Sequence, residues 1–146
     1  MNIIFDSDNN DNNDMINLKL FLLSFKEAIN TNDEEALNDL ISDDYRSITA
    51  MNKNKTDLVK YLLTCFPRSL ILKFNADVKL IQINVNKDGQ KVTDYELILK
   101  PSYKYTLKYT PITIFKGSFG RSKTLFVRVV RNETGLFQLK NIEDRD

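Results

Sequence analysis

The side chains able to do chemistry in this chain are phenols and carboxylates. It has six tyrosines, 20 Asp plus Glu, one cysteine and no histidine in 146 residues. Without imidazole there is no histidine-assisted serine or cysteine nucleophile, no His-ligated zinc and no histidine general base. Asp44 adjoins Tyr45, and Asp94 adjoins Tyr95. A carboxylate in an apolar site can serve as general base or neutral acid, and a phenol can donate to a developing oxyanion. Asp44, Tyr45, Asp94 and Tyr105 are therefore the catalytic candidates. Tyr45, Tyr61, Tyr95, Tyr103, Tyr105 and Tyr109 are the candidate polar lining of a ligand pocket. Their chemistry would be cofactor-free proton transfer of the isomerase or dehydratase kind. The plainer reading is that Asp44 serves nearby backbone amides and the tyrosines bury their rings. Strand alternation also sets Asp94 and Tyr95 on opposite faces.

The remaining chemical signals are weak. Cys65 cannot form an internal disulfide and reads as a buried thiol in an apolar helix. Asp6, Asp8 and Asn10 match the first positions of a calcium loop, but Asp11 stands where glycine is needed and Asn17 where the closing glutamate should be. Residues 117–122 are glycine-rich without phosphate-loop spacing. No metal or cofactor is expected. Lys plus Arg is 21, so the net charge is +1 and nothing in the overall balance favours a nucleic-acid partner. Lys104, Lys108, Arg121, Lys123 and Arg128 form the only basic series worth testing; such residues on outward strand positions ordinarily solvate a surface.

Helices must come first among the positioning elements. Leu18, Leu22, Phe25 and Ile29 recur at spacings of four, three and four, one face of a helix. Phe21 and Ala28 widen it and Leu20 and Leu23 lie partly outside it, which suggests a helix covered on more than one side. Residues 30–32 favour a turn, and Asn32 or Asp33 can cap a second helix that buries Ala36, Leu37, Leu40 and Ile41. Residues 45–51 suit a short strand. Thr56 reads as the cap of a third helix that Pro67 stops.

The second half alternates with period two. Leu70, Leu72, Phe74, Ala76, Val78 and Leu80 occupy even positions, then Ile81, Ile83 and Val85 odd ones, so a bulge is expected near Leu80 and Ile81. Asp88-Gly89 signals a hairpin. Tyr95, Leu97 and Leu99 share a face, Pro101 reads as a break, and Thr110-Pro111 as a kink. Leu125, Val127 and Val129 form one inward row, and Phe137 and Leu139 another. Val92, Ile98, Phe126 and Val130 are apolar on the opposite face, which points to a homodimer through the outer sheet surface.

These elements make one α+β domain over residues 15–146, preceded by a flexible acidic leader at 1–14. Three N-terminal helices should pack on a strongly curved, mainly antiparallel sheet. The order and residues of 21–63, with Ala36-Leu37 and Leu40 before Asp44-Tyr45, then Asp57-Leu58-Val59-Lys60-Tyr61-Leu62-Leu63, resemble the opening of nuclear transport factor 2-like domains. The superfamily includes SnoaL-like and ketosteroid isomerase-like members. A glycine often seen before its third helix is replaced here by residues 52–55. The resemblance implies a cone-shaped, cystatin-like fold and leaves enzyme, ligand-binding and assembly roles open. The expectation carried forward is a non-catalytic, cytoplasmic homodimer binding a small apolar ligand or a protein, with an Asp/Tyr lyase or isomerase as the alternative. No signal-peptide core or membrane span is recognisable.

Overall fold

The computed structural model describes residues 12–47, 53–118 and 124–144. Helix α1 runs Asn12–Asn30, α2 Glu34–Leu40 and α3 Lys55–Thr64. Strands β1 Leu72–Asp88, β2 Lys91–Leu107, β3 Thr113–Ser118, β4 Leu125–Arg131 and β5 Phe137–Asp144 follow. All strand pairs are antiparallel. The sheet order is β1-β2-β4-β5, with β3 on β2 beside β4. Three helices on a curved five-stranded sheet are the expected α+β class.

Residues 12–14, assigned to the leader on sequence, are the first turn of α1; residues 1–11, with the calcium-loop positions, lie outside the described residues. The helix starts early because Met15 is already buried on the same stripe as Leu18 and Leu22. Its far side is not covered as the wide apolar surface suggested: Ile16, Leu20 and Leu23 are about half exposed. The helix ends in a Schellman motif. Asp33 N–H donates to Ala28 O at 2.9 Å and Asn32 N–H to Ile29 O at 3.2 Å. Asn32 takes the left-handed φ of 56° that asparagine tolerates. Asp33 then caps α2, accepting from Ala36 N–H at 3.1 Å.

The cap of α3 is Asn54, not Thr56: its side-chain oxygen accepts from Asp57 N–H at 2.9 Å, starting the helix two residues earlier. Of the strand expected over residues 45–51, the described residues 45–47 show only an isolated bridge. Ile41 bridges Leu139 in parallel, and Arg46 bridges Asn54 antiparallel. Residues 48–52 are outside the described set.

β2 carries the sheet. It pairs with β1 from Lys91 to Leu107 on one side and divides its other side between β4, at Tyr95–Leu99, and β3, at Ser102–Thr106. Pro101 does not break it. That residue falls between the spans paired to β4 and to β3, where a missing N–H leaves no ladder donor wanting. The expected bulge is present between Leu80 and Gln82, and the buried positions of β1 change there from Phe74, Ala76 and Leu80 to Ile83. Gly89, at φ 66°, closes the β1–β2 hairpin. The inward rows of β1, β2, β4 and β5 meet Leu18, Phe21, Leu22, Leu37 and Ile41 from the helices in one core.

The polar side chain of Asn30 fastens α1 to the outer edge of β1. It accepts from Ala76 N–H at 2.6 Å and donates to Ala76 O at 3.3 Å. Asn30→Ala strands both backbone groups and is expected to cost about 1–2 kcal/mol. Urea unfolding followed by circular dichroism measures it, with an unchanged slope.

Candidate functional site

The sequence candidates divide into three places. Asp44 and Asp94 do not join the tyrosines inside. Asp44 is exposed in the turn after Ile41, its N–H donating to Ser42 Oγ at 3.2 Å. Asp94 lies on the outer sheet face, as alternation with buried Tyr95 requires. It accepts from Asn86 Nδ2 at 2.6 Å and sits 3.5 Å from Arg128 Nε. Tyr109 lines nothing. β2 ends two residues earlier, and Tyr109, at φ 66°, projects fully into solvent from the turn before Pro111.

Tyr61, Tyr103 and Tyr105 instead join phenylalanines where α3 meets the ends of β1 and β2. Phe66 stacks on Phe74 at 4.7 Å and leans on Tyr103 at 4.9 Å. Tyr105 tilts onto Phe74 at 5.3 Å, and Phe115 of β3 reaches Tyr103 at 6.0 Å. Tyr61 meets Phe66 edge-on. Such tilted and offset contacts favour filling over a vacant pocket. The Tyr105 hydroxyl is taken by Pro67 O at 3.0 Å. Gly117 lets the Tyr103 ring lie across β3; a Cβ there would fall 2.7 Å from the phenol oxygen and 2.8 Å from Cζ. Burial pushes the Cys65 thiol beside this cluster up to about 11, keeping it protonated and unreactive at neutral pH.

An acid–phenol pair does exist, but with a carboxylate the sequence reading left in the leader. Tyr95, almost wholly buried, donates its hydroxyl to Asp14 Oδ2 at 2.5 Å. Asp14 Oδ1 accepts from Arg131. Arg131 also donates to Gly135 O at 3.0 Å and lies over the Phe137 ring at 4.5 Å. The signal for Asp14 was one more helical turn upstream of Leu18, where a carboxylate suits the helix dipole. Both carboxylate oxygens are engaged, so this constellation ties α1 to β2 and β4.

Tyr45 is different. It is fully buried and its hydroxyl has no hydrogen-bond partner among the described residues. The Ser47 hydroxyl nearby donates to Ile142 O at 2.5 Å and keeps acceptor capacity towards the phenol, a smaller effect on Tyr45 than its burial. Burial pushes the Tyr45 phenol up to about 12, so it remains a neutral donor.

A cleft of about 400 Å³ opens elsewhere, between the end of α1 and the start of β1, lined by Asn30, Arg68, Lys73, Phe74, Asn75 and Lys108 among others. Its principal cation is engaged in the fold. Arg68 donates to Ile29 O at 2.7 Å, at the negative end of α1, and packs over Phe74 at 4.7 Å. Among the described residues no cluster of three or more His, Cys, Asp or Glu is placed to hold a metal ion. None of the described helices is long and apolar enough to cross a membrane.

Neither protein-family models nor curated proteins match this sequence. Solved structures do. A nuclear transport factor 2-like superfamily protein from Salmonella enterica subsp. enterica serovar Typhimurium str. LT2 superposes with a TM-score of 0.60 at 6% identity, over 90% of each chain. A ketosteroid isomerase-like protein from Erwinia carotovora atroseptica SCRI1043 gives 0.59 at 14% identity, over 90% of this chain and 94% of that one. A conserved protein from Planctomyces limnophilus DSM 3776 gives 0.66 at 14% identity, over 89% and 93%. The chain has the nuclear transport factor 2-like fold. Identities this low carry the fold and not the chemistry.

Two outcomes follow. Tyr45→Phe removes a buried unpaired hydroxyl and should raise stability at pH 7 by about 1 kcal/mol. A phenol whose native pKa is raised contributes stability that is complete below its unfolded value of 10.0 and is lost as pH climbs towards about 12. The advantage of Tyr45→Phe over the natural chain should therefore widen between pH 8 and pH 11, read from paired denaturant melts. Asp14→Asn should lower stability by about 1–3 kcal/mol by breaking the Arg131 pair. Asp77→Asn, which removes an exposed partner of Lys26, should change it by less than about 0.5 kcal/mol in the same melts.

Proposed function

We propose that this domain works by binding, as a homodimer, and not by catalysis. The observation that supports the reading is the close side-chain packing between helices and sheet among the described residues. Phe66, Phe74, Tyr103 and Tyr105 occupy one end in mutual ring contact, and Tyr95, Leu97, Val129 and Leu139 pack the rest. Proton transfer needs a carboxylate and a phenol facing a substrate-sized space. Asp44 and Asp94 face solvent or the outer sheet surface, and Asp14 is held by Arg131 and Tyr95. Binding then falls to the surface, where large apolar side chains remain exposed.

A second reading has one observation in its favour. The buried, unpaired Tyr45 hydroxyl is a donor of the kind an isomerase or dehydratase aims at a carbonyl oxygen. A small apolar ketone entering beside it would meet a ready hydrogen bond.

Sedimentation velocity on the full chain, from about 1 to 100 μM, decides the first reading. A dimer that strengthens with concentration is expected, and a single monomeric species throughout overturns it. Isothermal titration with an apolar cyclic ketone decides the second. Heat of binding that Tyr45→Phe abolishes would favour a ligand site over a filled interior.

A further inference from the structure

The whole-chain charge of +1 conceals a division. No Asp or Glu occurs between Asp57 and Asp77, nor between Glu96 and Glu133. Those two stretches supply the start of β1, the end of β2 and all of β3. They meet in one corner: Lys108 N–H donates to Ile71 O and Leu107 N–H to Ile112 O, both at 2.9 Å. Lys73, Lys104, Lys108 and Lys116 gather around it, within a few residues of the end of β2 or opposite them. Lys104 stands directly across from Lys116 on β3, a placement that costs stability. Among the described residues none of the four is in an ion pair. Lys73 and Lys108 also line the cleft of about 400 Å³, where Glu27 is the one acid.

The same corner exposes large apolar side chains. Leu70 is 91% exposed, Ile71 65% and Ile112 54%, and Tyr109 is wholly in solvent. Tyr109 stands at φ 66°, a backbone region that bulky residues rarely adopt. Among the described residues nothing offsets that strain, for the ring projects into water. Aliphatic and phenolic side chains are thus held out beside four unpaired lysines.

We propose that this corner docks on a bilayer bearing anionic lipids. Leu70, Ile71, Tyr109 and Ile112 enter the boundary between headgroups and acyl chains, a depth that suits aliphatic side chains and tyrosine. Lys73, Lys104, Lys108 and Lys116 then meet the anionic headgroups. A bilayer accounts for both features at once, the unpaired cations and the apolar side chains in water. A second copy fits poorly, because a two-fold contact here would bring the same lysines face to face. A nucleic acid would engage the lysines through its phosphates but leave Leu70 and Ile71 wet. A single chain presents the whole corner, so docking does not rest on the homodimer, and vesicle binding and self-association fail independently.

Co-sedimentation of the full chain with lipid vesicles tests it. Binding is expected to phosphatidylcholine vesicles containing about one-third phosphatidylserine, not to phosphatidylcholine alone, and should weaken as salt is raised. Leu70→Ser combined with Tyr109→Gly should weaken binding at least about tenfold. The melting temperature of that variant should hold or rise, because both side chains are exposed and glycine suits φ 66°. Lys104→Ser and Lys116→Ser should each lower affinity roughly fivefold. Lys100→Ser, on the same face but roughly 23 Å back along β2, should change it by less than about twofold. No binding to the anionic vesicles overturns the proposal. So does an undiminished affinity in the Leu70/Tyr109 variant, which would leave charge attraction alone. Tighter binding to a duplex oligonucleotide than to the vesicles at the same salt overturns it in favour of nucleic acid.

Discussion

Burial of one face of β2 is the interaction on which the rest of the molecule depends. Tyr95, Leu97 and Leu99 present a continuous inward row, and every other element is placed with respect to it. β1 follows β2 for its whole length, while β4 and β3 share the opposite edge. The bulge at Leu80/Gln82 moves the buried row of β1 to the other parity. Without it the second half of β1 would turn Ile83 to solvent, because side chains alternate strictly along a strand.

Polar contacts then determine how the helical layer sits on that sheet. Apolar burial is non-directional and tolerates sliding. Asn30 on Ala76, Asp14 on Tyr95 and Arg131, and Arg68 on the end of α1 each have directional geometry. They fall at both ends of α1, so its axial position and rotation are both specified. Asp14, the carboxylate that reaches the sheet from α1, is already paired with Tyr95 and Arg131.

How much was legible in the sequence depends on the range of the determinant. Helix stripes, most of the strand rows, the bulge, the Asp-Gly hairpin and a cap at Asn32 or Asp33 are set by neighbours within a few residues and agree with the structure, whereas Leu70, expected in the inward row, lies before β1 and is exposed. Thr56 and Asn54 are both good caps, and only the backbone geometry makes Asn54 the one used. Pro101 was read as a break because its tolerance depends on where β4 stops and β3 starts, which are remote in sequence. Tyr109 matched the strand alternation of Tyr103 and Tyr105, yet lies past the end of β2. Asp14 is marked locally only by its place one helical turn before Leu18, which does not say that Tyr95 and Arg131 meet it.

By itself, then, the amino-acid order determined the α+β class, the inward rows and the lack of histidine chemistry, because periodicity and composition are local and additive. Tertiary structure alone decided which carboxylate meets Tyr95, that aromatic rings pack together where α3 meets the sheet, and that the buried Tyr45 hydroxyl has no partner among the described residues. Each of those depends on residues tens of positions apart being brought within a few ångströms, and no stretch read in isolation contains that distance.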